Sequence, residues 1–168
     1  PADHSGTAQW LAICELSLGR VAYEQGRLED ATGHFERAYE VCPLVAEIDE
    51  NGMPRVFDSF GGNYLGGLSL IGQSISESTD ADALARSLAF FERILDRHPG
   101  RFASIYNNAA LSARDLGVQI AGGSEQVAEA SEAGVRRERL QRAMALWEKS
   151  YAWYDEAAEL MPDDARTL

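Results

Sequence analysis

The chain has 168 residues and a mass of 18.4 kDa, enough for one domain with a real core. Fifteen Lys and Arg stand against 27 Asp and Glu, a formal charge of −12. That excludes partners that demand clustered cations, namely nucleic acid and an anionic membrane surface, and no apolar run reaches the roughly 18–20 residues of a membrane span.

Residues Pro1–Gly6 have neither the cationic start nor the apolar stretch of a signal peptide. With no initiator Met, the sequence reads as a segment of a longer protein or a processed product. The compartment stays open, with the cytoplasm slightly preferred. The first expected helix runs from Trp10 to Gln25, with Gly19 as a small inner-face residue and Gly26 as its break. Ala31, Phe35 and Ala38 then share one face of a second helix that Pro43 stops.

In residues 44–58, two short apolar segments flank Asn51-Gly52. Asn-Gly is a strong hairpin signal, and Pro54 would confine such a strand to an edge; a structureless loop fits as well. The run Asp49-Glu50-Asn51-Gly52 lacks the ligand spacing of a calcium loop. Gly61–Gly67 is glycine-rich but lacks the Lys-Ser/Thr of a phosphate loop. Its glycines suit close helix packing instead. A third helix carries Leu65-Gly66, with Gly72 as its expected break, and Thr79 with Asp82 reads as the cap of a fourth. That helix holds Ser87, Phe91 and Ile94 and ends at Pro99. A fifth runs from Phe102 to Leu116, with Ala109-Ala110 as the small residues and Gly117 as the break. Residues 122–134 are small, acidic and weakly patterned, which predicts mobility or a short frayed helix. The cluster of Arg136, Arg137, Arg139 and Arg142 reads as a solvated face offsetting that acidic stretch.

The last helix is expected to be long. Leu140, Met144, Trp147, Tyr151, Tyr154, Ala158 and Met161 recur at alternating intervals of four and three, one apolar seam. Either the seam packs on the preceding helices or it takes a further surface. Trp153 lies off it, and its exposure would favour the second reading.

The helices form a concealed repeat. Phe35, Phe91 and Tyr154 each precede a proline by eight residues, and Ala31, Ser87 and Ser150 each stand four before the aromatic. Gly19 and Ala110 each precede a glycine by seven, whereas Gly66 precedes Gly72 by six. Residues 12–43, with Leu18-Gly19, Gly26, Ala31, Phe35, Ala38 and Pro43, resemble a tetratricopeptide repeat. They depart from it at Glu15 and Ala22, which occupy the usual Trp and Tyr slots. The resemblance implies an all-α fold: a right-handed superhelical stack of three antiparallel helix pairs, approximately 10–43, 59–99 and 102–162, with inserted loops and a long C-terminal helix. The spacings Pro43 to Pro99 and Pro99 to Pro162 exceed the roughly 34 residues of a standard repeat, so loop or extra helix must fill the difference.

In such a fold the first helix of each pair lines a concave groove that binds an extended peptide or a partner helix. The resemblance therefore implies a ligand surface of Leu16, Arg20 and Tyr23 from pair one, Asn63 and Tyr64, with Gly67, from pair two, and Asn107, Asn108, Leu111 and Arg114 from pair three. Asn can bond a peptide backbone as donor and acceptor, and Arg can pair a carboxylate. Family members that clamp a C-terminal carboxylate use lysines and an asparagine. Here Arg20 occupies the asparagine slot and Lys149, in the last helix, is the sole lysine, which argues against that role.

The resulting expectation is a non-catalytic interaction scaffold with a protein or peptide partner. The alternative is an assembly module, self-association included, that contacts its neighbour through Trp147, Tyr151 and Trp153. No catalytic residue, metal site or cofactor is expected. His4, His34 and His98 are scattered, and Cys14 and Cys42 belong to no C-x-x-C pair. Both cysteines are expected as buried helix thiols, level with one another across the turn at Gly26.

Overall fold

The computed structural model describes residues 5–49, 53–58, 62–77, 80–122 and 132–160. These form six α-helices: α1 (Ser5–Glu24), α2 (Leu28–Val41), α3 (Tyr64–Ser76), α4 (Ala81–Arg97), α5 (Ala103–Gly122) and α6 (Glu132–Leu160), with a 3₁₀ turn over Pro43–Ala46. No strand occurs among the described residues; a single antiparallel bridge joins Ile48 and Pro54. The chain divides into two compact units, Pro1–Ile71 and Gly72–Leu168, with the boundary inside α3.

In the N-terminal unit α1 packs on α2. Gly26 turns the chain between them at φ +74°. Its N–H donates to the Tyr23 carbonyl, and that of Arg27 to the Ala22 carbonyl. This is the paired closure that a left-handed residue permits at a helix end. Phe35 is buried with its ring against Gly19 and Gly67, where an added Cβ would stand 3.1 and 2.2 Å from the ring. Tyr64 stacks on Tyr39 at 5.5 Å.

The segment after α2 is neither a full hairpin nor structureless. Asp49 N donates to Met53 O and Arg55 N to Glu47 O. Ile48 and Pro54 are therefore a non-hydrogen-bonded pair of an antiparallel ladder. Asn51-Gly52 lie outside the described residues.

In the C-terminal unit α4 packs on α5 and α5 on α6. Gly72 does not break α3, which runs on to Ser76. A Cβ on Gly72 would stand 2.2 Å from the ring of the buried Phe91, so this glycine admits the ring. It is the counterpart of Gly19 beneath Phe35, a role the sequence reading gave to Gly66. Gly117 also fails to end its helix, for α5 continues to Gly122. There the Trp147 indole takes the space, with Nε1 2.5 Å from the position of an added Cβ.

The small residues before each aromatic are all buried. Ser87 donates to the Gly72 carbonyl at 2.8 Å, and Ser150 to the Ala110 carbonyl at 2.9 Å. Each thereby holds two helices together at close approach.

The cap of α4 is Asp80, whose carboxylate accepts from Ala83 N at 2.7 Å. Thr79, expected as that cap, lies outside the described residues, as do 123–131. Cys42 caps the end of α2 and is buried, whereas Cys14 is exposed. Both thiols are free, so the two side chains share neither an environment nor a bond.

Candidate functional site

In the C-terminal unit, the end of α3 and one side of α5 wall a cavity of about 340 Å³. Leu84 and Phe91 of α4 contribute to its lining from buried positions. The polar wall holds Gln73, Asn108, Asp115 and Gln119, and Leu111 and Val118 stand exposed at the edge. The volume lies in the range that receives small ligands or a side chain or two of a peptide.

The wall is pre-ordered. Gln73 Nε2 donates to Asn108 Oδ1 at 3.0 Å. Behind Asn108, the Ser112 hydroxyl lies 2.9 Å from Ser87 Oγ and 3.0 Å from the Asn108 carbonyl. Ser87 continues the series to Gly72. This buried hydroxyl chain explains why α5 can present Asn108 at a fixed height: each small polar group satisfies the next, so none is left unpaired.

Of the expected ligand residues, the structure brings Asn108 and Leu111 to this cavity. Asn107 and Arg114 are exposed on α5, one turn to either side of Leu111. Arg114 Nε donates to Asp115 at 2.7 Å. That bond, opposed by burial and aided by the charges of Asp115 and Tyr154, raises the guanidinium above its usual value.

The pair-one and pair-two candidates have other occupations. Leu16 and Tyr64 are 1% exposed and serve as packing residues, with no surface for a ligand. Arg20 Nε donates to Asp58 at 3.0 Å. The Asp58 side chain is fully buried and also accepts from Gly62 N at 2.8 Å. Arg20 is therefore the counter-ion of a buried carboxylate, an arrangement costly to leave half-made. Asn63 precedes α3 and accepts from Gly66 N at 2.8 Å, an N-cap bond. Tyr23 is half-buried.

Sequence reasoning missed Gln73 and the Ser87–Ser112 pair. It also missed a polar cluster between α1 and α2, where Glu15 meets His34 Nδ1 at 2.7 Å and Arg37 Nε at 3.2 Å. Burial pushes the Glu15 carboxyl up, but the His34 hydrogen bond and Arg37 together hold it below its usual range. Glu15 stands in the slot where the resemblance expects a Trp. The aligned spacing of Glu15, His34 and Arg37 across the Gly26 turn was the available signal.

Of the expected interface residues, Trp147 and Tyr151 are exposed, whereas Trp153 is half-buried. Trp153 packs against the cluster of Leu84, Leu88, Ala113 and Leu116, and Lys149 Nζ lies 5.0 Å over its ring. The face of α6 that meets the rest of the unit is Ala143, Ser150 and Ala157, all buried. The seam of Leu140, Met144, Trp147 and Tyr151 is exposed. It does not pack on the preceding helices as a whole: Trp147 reaches across, its Nε1 donating to the Arg114 carbonyl at 3.2 Å, Tyr154 and Ala158 are half-buried, and Met161 lies outside the described residues. A second hollow, of about 440 Å³, is lined by Glu92, Leu95, Asp96, Tyr106, Lys149 and Trp153. The Lys149–Glu92 ion pair forms part of its wall.

Among the described residues no group of three or more His, Cys, Asp or Glu could hold a metal ion, and no helix is long and apolar enough to cross a membrane. The sequence matches no known protein-family model and no curated protein.

Proposed function

We propose that this chain is a non-catalytic interaction scaffold of tetratricopeptide type, and that its C-terminal unit receives an extended peptide segment of a partner protein. The observation that carries the reading is the cavity walled by α3 and α5. These are the first helices of pairs two and three, the ones that line the groove in proteins of this type. The lining has the chemistry a peptide requires. Side-chain amides of Gln73, Asn108 and Gln119 can accept and donate to a backbone, and Leu111 and Val118 can cover an apolar side chain. The protein's charge of −12 favours a ligand segment with net positive charge. The recurrence of a small residue beneath each of Phe35 and Phe91 supports the repeat reading.

The test is selection of binders from a displayed library of peptides about twelve residues long, an extended reach of roughly 40 Å. Selected peptides should lose about tenfold or more in affinity when Leu111→Asp or Val118→Asp places a charge on the cavity edge. Binding that ignores both substitutions would overturn the assignment of this groove.

A further inference from the structure

The exposed seam of α6 is left over when the groove is accounted for. Leu140, Met144, Trp147 and Tyr151 are 41, 55, 38 and 75% exposed, respectively. Four large apolar side chains in one line on a surface helix mark a contact rather than scattered surface residues. The charges along α6 indicate what contacts it. Residues 132–144 carry four arginines and two glutamates, whereas residues 145–160 carry one lysine and four acids. The helix is thus positive at its start and negative at its end. A helix of this kind is complementary to itself when reversed.

We propose that this seam binds the seam of a second copy of the chain, with the two α6 helices antiparallel about a two-fold axis at Trp147. The proposal is independent of the groove reading. The register follows from the sequence. Trp147 lies within a residue of the midpoint of α6 (Glu132–Leu160), so reversal about it overlaps nearly the whole helix, roughly 40 Å of contact. Leu140 then lies level with Tyr154 of the second copy, and Met144 within a residue of its Tyr151. Arg137 lies level with position 157, midway between Asp155 and Glu159, which are one turn apart. All three are exposed and lie beside the seam on the side away from Trp147. The symmetry makes this contact twice. Glu148, also exposed on that side, meets its own copy near the axis, so one like-charged pair opposes the two favourable groups. Trp147 is already anchored by Gly117 and the Arg114 carbonyl. It therefore loses little further freedom on association, as suits a residue at the centre of an interface.

Sedimentation of the full chain from about 10 µM to about 1 mM tests this, a span that covers weak to moderate dimers. The weight-average mass should rise from 18.4 kDa toward twice that value. Met144→Asp should abolish the rise with an unchanged helical circular dichroism spectrum, since its side chain is exposed. Arg137→Glu should weaken association about tenfold, as should Asp155→Arg with Glu159→Arg. Mixing these two charge-reversed chains should restore it, and Glu148→Gln should tighten it. A monomer throughout the range, a dimer indifferent to Met144→Asp, or charge-reversed chains that fail to recover on mixing would each overturn the proposal.

Discussion

The pair α1–α2 and the pair α5–α6 begin from the same sequence device and use it differently. In each, a small residue is followed seven positions later by a glycine. Gly26 adopts φ +74° and ends α1. Gly117 stays helical, α5 runs five residues beyond it, and an indole fills the place of its missing side chain. Spacing alone therefore does not set a glycine's role. What decides it is whether an aromatic residue elsewhere in the chain needs the room. Gly26 has nothing within 4 Å of an added Cβ; Gly117 is contacted by Trp147.

That contrast can be broken by substitution. The largest effect is expected where the ring has no escape. Gly72→Ala drives a Cβ to 2.2 Å from Phe91, which is 0% exposed, and should cost about 1–3 kcal/mol in chemical denaturation. Phe91→Leu in the same chain should recover part of that loss, a coupling that a double-mutant cycle measures. Gly26→Ala meets no atom but must hold a left-handed backbone, so about 1 kcal/mol is expected. If Gly26→Ala proved as costly as Gly72→Ala, the distinction between turning and seating glycines would fail.

A pH effect comes next. Burial, followed by the charges of Arg97 and Arg101, lowers the pKa of His98 at the end of α4. The unfolded chain therefore takes up the proton first as pH falls past about 6.5. Stability present above that pH is lost as pH falls through the lower native value. The urea midpoint should drop between about pH 8 and about pH 5.5, and His98→Gln should flatten that dependence. The smallest effect is expected for Gly117→Ala. Trp147 is partly exposed and can swing outward, so stability should change by under about 1 kcal/mol. In a Trp10→Phe, Trp153→Phe background, however, the emission of Trp147 should shift red.

The helices and most of their ends were legible in the sequence, because Gly26, Pro43 and Pro99 act locally through their own backbones. The helical run through Gly72 and Gly117 was not, since it depends on rings 19 and 30 residues away. The seam of α6 shows the same limit. Its periodicity was correct, yet the buried face proved to be Ala143, Ser150 and Ala157. Small residues let α5 approach closely, and hydropathy gives them little weight. The shared side of α5 that carries Asn108 and Leu111 to the cavity wall was legible because α5 is a regular helix. The occupation of Arg20 was hidden, as Asp58 lies 38 positions downstream.

The bridge between Ile48 and Pro54 carries a consequence for solubility. In a non-hydrogen-bonded pair the amide groups of both residues face away from the partner. At Pro54 the group that would face outward is the one proline lacks. A third strand arriving on the Pro54 side therefore finds no donor at that position, so the sole sheet-like element among the described residues is blunted on that edge.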